Sequence, residues 1–197
     1  MSGFYLEADG IYRLRVPFDA VYTSVFLVKT EQGVALVDCA TTVKDVEEYI
    51  IPSLRNIGYE LSDVRFLVLT HEHEDHSGGM ERILYSAPNI EVVREVRELF
   101  DKVCTYPMEG HTESCIGILD LRSNTLISGD GLQGAGVDKY RCYTKNREAY
   151  LQTIERIKND KRIENILFSH EYEPWYSDRA FGRQMVDACL SECKKYV

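Results

Sequence analysis

Thr70-His71-Glu72-His73-Glu74-Asp75-His76-Ser77-Gly78-Gly79 puts four metal-ligand side chains, His71, His73, Asp75 and His76, within six residues, right after the apolar run Val64-Arg65-Phe66-Leu67-Val68-Leu69. The run is short, β-branched and nearly uncharged, which reads as a buried strand. A strand sends alternate side chains to opposite faces, so these ligands converge only if the chain leaves the strand as a loop. Neutral imidazole and carboxylate suit zinc and iron, and a loop anchored on a rigid strand can turn several of them toward one point. Glu72 and Glu74 read as outward-facing charge.

Outward from this stretch, strands and helices alternate. Ile11–Val16, Val21–Lys29 and Val34–Val37 read as strands, the last two joined as a hairpin through Thr30-Glu31-Gln32-Gly33. Val43, Val46, Tyr49, Ile50 and Leu54 recur at helical spacing before Gly58, with Pro52 expected to kink or end the helix. Met80–Ala87 reads as a short helix, Ile90–Val93 as a strand and Arg94–Val103 as a helix with a charged outer face. Cys115–Leu121 and Thr125–Ser128 flank Arg122-Ser123-Asn124 as a hairpin. Leu151, Ile154 and Ile157 mark a helix ahead of the strand Asn165–Ser169. Phe181, Met185, Ala188 and Cys189 give one side of a final amphipathic helix. No repeat, Gly/Ser linker or long charge block divides the chain, so residues 1–197 are expected to form a single domain.

The chain has five histidines, and the two outside the motif stand at the edges of expected strands. His111 lies in Glu109-Gly110-His111-Thr112, and His170 follows Ile166-Leu167-Phe168-Ser169. The order H-x-H-x-D-H, then G-H-T, then Gly129-Asp130, then a histidine after a C-terminal strand resembles the metallo-β-lactamase superfamily. The likeness spans nearly the whole chain and includes an acid after an early strand, Asp38 in Ala35-Leu36-Val37-Asp38.

That resemblance implies an α/β fold, a four-layer αββα sandwich of two mixed sheets flanked by helices. It implies two divalent metal ions, zinc by preference with iron or manganese as alternatives. His71, His73 and His111 would hold the first, Asp75, His76 and His170 the second, and Asp130 would bridge them. Asp75 would also help orient the nucleophile, and Asp38 would orient a ligand histidine from behind, although a turn or helix-capping role fits Asp38 too. Two ions that share a carboxylate generate hydroxide near neutral pH without a catalytic serine, so the expected reaction is metal-dependent hydrolysis.

Composition narrows the substrate. The 197 residues carry 23 basic and 32 acidic side chains, a formal charge of −9, which disfavours nucleic acid and so the nuclease branch of the superfamily. The opening residues 1–9 lack the basic and apolar segments of a secretory signal, and no membrane span is evident, so a cytoplasmic protein is expected and β-lactam hydrolysis ranks lower. Thioester hydrolases of the glyoxalase II type carry a helical C-terminal domain that helps hold glutathione. Here only Glu171 to Val197 follows His170, although His170-Glu171-Tyr172 is locally similar to that subfamily. A small ester, thioester or lactone is the expected substrate. The competing class is a mononuclear iron persulfide dioxygenase, which needs only His71, His111 and Asp130.

The stretch Lys102–Glu109 looks too short for the strand pair expected before His111. The site would then be open on that side or completed by a partner subunit, and a homo-oligomer stays open. Glu109 stands where the superfamily usually has proline. The six cysteines show no C-x-x-C pair and read as reduced packing residues, with Cys189 and Cys193 on one helical face. Tyr140, Tyr143, Tyr172, Trp175 and Tyr176 are aromatic candidates for shaping the pocket, each of which packing alone would also explain.

Overall fold

The computed structural model describes residues 3–134, 144–174 and 176–197. Cys142, Tyr140, Tyr143 and Trp175 lie outside the described residues. The chain forms two compact units, Met1–Arg94 and Glu95–Val197.

The first unit is built on a six-stranded sheet in sequence order, β1 (Tyr5–Ala8), β2 (Ile11–Phe18), β3 (Val21–Thr30), β4 (Gly33–Val37), β5 (Val64–Val68) and β6 (Glu91–Val93). The first four run antiparallel, and β4, β5 and β6 run parallel, which makes the sheet mixed. The hairpin between β3 and β4 is the expected one, its register closing at Thr30 opposite Gly33. Leu14, Val16, Val25, Leu27, Leu36 and Leu67 of the sheet pack with Val46, Ile50, Leu54 and Ile83 of its helices. The alternate set, including Phe26, Val28, Val37, Phe66 and Val68, is also buried, which is why these strands read as continuous apolar runs.

The helices of this unit are α1 (Val43–Asp45), α2 (Ile51–Asn56), α3 (Glu74–Ser77) and α4 (Met80–Ser86). Pro52 does not end its helix. It sits in the first turn of α2, behind a widened π-helical turn, Val46–Ile50, in which Ile51 N–H donates to Val46 O, and that wider turn accommodates the proline ring.

The second unit carries β7 (Glu98–Phe100), β8 (Val103–Pro107), β9 (Ile116–Asp120), β10 (Thr125–Ile127), β11 (Asn165–Tyr172) and β12 (Ser177–Phe181) as another six-stranded mixed sheet. Only β10 and β11 pair parallel. Helices α5 (Arg147–Asn159) and α6 (Arg183–Cys193) bury Ile154, Ile157, Val186, Cys189, Leu190 and Cys193 against Leu119, Leu126, Ile166 and Phe168.

Three expectations fail here. Arg94–Val103 is not a helix, although Val96, Leu99, Phe100 and Val103 have helical spacing. The chain bends and enters β7, which pairs with β8. The Thr105 hydroxyl pins the bend by donating to Glu95 O at 2.8 Å while accepting from Arg97 N–H at 2.6 Å. The same hairpin supplies the strand pair that Lys102–Glu109 looked too short to hold. Finally, α6 buries Val186, Cys189, Leu190 and Cys193, whereas Met185 is exposed and Phe181 belongs to β12, where it is also exposed. Burial pushes the thiol of Cys189 up to about 11 and that of Cys193 up to about 12, so both are neutral packing groups.

Arg183 closes this unit. Its guanidinium donates to the carbonyls of Ile157, Lys158, Asp160 and Ile163 and pairs with Asp187, satisfying acceptors at the end of α5 that the helix cannot. Arg183→Ala is expected to cost about 2 kcal/mol in chemical denaturation, and Arg183→Lys, a single compact cation, to recover less than half. An unchanged denaturation midpoint in Arg183→Ala would show that the network adds nothing. Among the described residues no helix is long and apolar enough to cross a membrane.

Candidate metal centre

In the first unit the groups gather at the C-terminal ends of the parallel strands β4 and β5, where the first residues past a strand escape its alternation. Asp38 follows β4 with φ of +61°, and Thr70 and His71 follow β5. His73 caps the start of α3, which carries Asp75 and His76. The sharp path into α4 depends on Gly78 and Gly79, because a Cβ at either would lie 1.8 Å from Thr41 O or 2.2 Å from Cys39 O. Glu72 and Glu74 are exposed, as expected.

Asp38 Oδ2 lies 2.7 Å from His76 Nδ1 and accepts the Thr70 hydroxyl at 2.8 Å, while Oδ1 accepts Thr70 N–H at 2.8 Å. It therefore makes no helix cap. Receiving the Nδ1 proton fixes the His76 tautomer and leaves Nε2 as a lone pair, 3.3 Å from Asp75 Oδ2. His71 Nε2 and His73 Nδ1 face each other at 3.0 Å. Cys39 is not part of this donor set. Burial and the Asp38 charge push its thiol far up, and it donates to His76 O instead.

In the second unit the topology brings His111, Asp130 and His170 to one end of the sheet. Pro107 pairs with Ile116 and Ile127 with both Ile118 and Leu167, so β8, β10 and β11 all finish at that end. His111 sits in a turn held by α5. Lys145 N–H donates to His111 O, Asn146 N–H to Gly110 O, and the Thr153 hydroxyl to Glu109 O. Glu109, in place of the usual proline, pairs with Arg156 at 3.1 Å.

Asp130 lies between the two histidines, with Oδ2 3.9 Å from His111 Nε2 and Oδ1 3.3 Å from His170 Nε2. The Tyr172 hydroxyl donates to Oδ1 at 3.2 Å. His111 and Asp130 are almost completely buried. In each unit the donors are imidazole nitrogens and carboxylate oxygens, a chemistry that fits divalent cations.

Thr70 escaped the sequence reading, and Tyr172 was read only as an aromatic candidate for the pocket. Thr70 was legible only as the residue before the motif, because its partner Asp38 lies 32 positions away. The role of Tyr172 had a usable signal. Two positions after His170 on the same strand, it shares that histidine's face.

The family model of the metallo-beta-lactamase superfamily matches residues 18–102, which span β3 to β7 and hold the whole His71–His76 motif. Over that stretch the chain is similar to that superfamily. A metallo-beta-lactamase of Erythrobacter litoralis superposes with a TM-score of 0.71 over 98% of this chain and 96% of its own, at 18% identity. FIM-1 of Pseudomonas aeruginosa does so with a TM-score of 0.75 over 98% and 95%, at 14% identity. These likenesses show the fold, the αββα sandwich of the superfamily, with both mixed sheets accounted for. Among curated proteins, a hydroxyacylglutathione hydrolase of Prochlorococcus marinus is 25% identical over 84% of this chain and 70% of its own length.

Proposed function

We propose that this chain is a metallo-β-lactamase superfamily member, a metal-dependent hydrolase of a small thioester, with esters and lactones as lesser substrates. His71, His73 and His111 would hold one divalent ion and Asp75, His76 and His170 another, with Asp130 shared. The observation that carries the reading is Asp130, whose two oxygens approach two different imidazoles, as a bridging ligand requires. When bound, such a pair of ions supplies a water ionised near neutral pH and an electrophile for the carbonyl oxygen.

The chain's own groups do the rest. Asp75, held 3.3 Å from His76 Nε2, orients the attacking water by accepting one of its hydrogens. Asp38 and Thr70 hold the imidazoles from behind, so little reorganisation accompanies the reaction. The Tyr172 hydroxyl steadies Asp130. The thioester preference is supported by the likeness to the hydroxyacylglutathione hydrolase over most of this chain.

The test is elemental analysis of zinc-, iron- and manganese-loaded protein, followed by turnover on acyl-glutathione thioesters, lactones, β-lactams and phosphodiesters. Two ions per chain and chelator-sensitive thioester cleavage are expected. One iron per chain with oxygen consumption on glutathione persulfide would overturn the hydrolase reading in favour of the dioxygenase.

A further inference from the structure

We propose that Thr70 is a positioning residue that fixes the tautomer of His71, extending to a second histidine the hold that Asp38 exerts directly on His76. The inference deepens the metal-centre reading above and depends on it only for its consequence, tighter metal binding.

The Thr70 hydroxyl has one hydrogen and three polar neighbours, Asp38 Oδ2 at 2.8 Å, His71 Nδ1 at 3.1 Å and His76 Nδ1 at 3.4 Å. A carboxylate oxygen only accepts, so at 2.8 Å the hydroxyl hydrogen must point at Asp38. The opposite orientation would set two lone pairs against each other in a dry site, since Asp38 and Thr70 are both buried. Thr70 Oγ then faces His71 with lone pairs alone, and His71 Nδ1 must be the donor.

His71 is thereby the Nδ1–H tautomer, and its lone pair sits on Nε2, the nitrogen that faces His73 Nδ1 at 3.0 Å. His76, donating from Nδ1 to Asp38, reaches the same state by the direct route. One carboxylate thus presets two imidazoles, one in contact and one through a hydroxyl. The Thr70 N–H bond to Oδ1 locks the carboxylate in the plane this requires.

The test is nitrogen-resolved NMR of the metal-free full chain at about pH 8, where an ordinary histidine is neutral. The spectrum reports directly which ring nitrogen of His71 carries the proton, and the result expected is Nδ1–H. In Thr70→Val, similar in shape but without the hydroxyl, His71 is expected to become a mixture of tautomers and zinc affinity to fall about tenfold in competition with a chromophoric chelator. Thr70→Ser should restore both. His71 found as Nε2–H in the unsubstituted chain overturns the proposal even if Thr70→Val does not fold, as does an unchanged tautomer and affinity in a folded Thr70→Val. A chain with the expected tautomer that binds no zinc would refute the metal-centre reading and leave the relay standing.

Discussion

Asp130→Ala should remain folded, lose one of two bound ions and lose about a thousandfold or more in turnover. Its carboxylate approaches both His111 and His170, at 3.9 and 3.3 Å, as the proposed shared ligand would. Three imidazoles still suffice for one ion, which is why stoichiometry should drop to one rather than none. The loss of turnover follows because a lone ion would have to supply both the ionised water and the charge stabilisation, and losing one such stabilising element costs about 4 kcal/mol. The metal-free variant should still fold cooperatively, with at most a modest drop in thermal midpoint from the lost Tyr172 hydrogen bond. Full activity, or two ions retained, would contradict a bridging role.

Gly110→Ala should be damaging for a different reason. Gly110 has φ of +135°, and a Cβ there would stand 2.5 Å from both Cα and Cβ of Tyr150 and 2.6 Å from its nitrogen. None of these atoms is the far end of a flexible side chain, so α5 or the turn must move. Tyr150 is fully buried, and its hydroxyl, kept neutral by burial, accepts from Gln133 N–H at 2.8 Å and donates to Gln133 O at 3.2 Å. The displacement would therefore reach the segment after Asp130 as well as His111. We expect a loss of about 3 kcal/mol in denaturant unfolding together with weakened metal binding. A variant as stable as the parent and with equal zinc affinity would show that the His111 turn tolerates movement.

What the sequence made legible follows the range of the interactions. The motif from His71 to His76 and the strand before it could be read because strand, loop and ligands all fall within Val64 to His76. The β3–β4 hairpin was legible for the same reason. The segment after Arg94 was not, because its residues have helical spacing and the winning interaction is a strand pairing plus a Thr105 hydroxyl that reaches back to Glu95 and Arg97. The buried face of α6 was not legible either, because Gly182 with φ of +82° separates Phe181, the end of a strand, from the helix whose spacing it continues. Likewise Asp38 could be suspected as an orienting acid from its place after a strand, yet its partners Thr70 and His76 emerge only when β4 and β5 lie parallel.

Anomalous diffraction from zinc-loaded crystals of the full chain tests the central claim most directly. The account predicts two zinc peaks with Asp130 bonded to both, His71, His73 and His111 at one and Asp75, His76 and His170 at the other. No peak at saturating zinc, or peaks bound by other side chains, would contradict it.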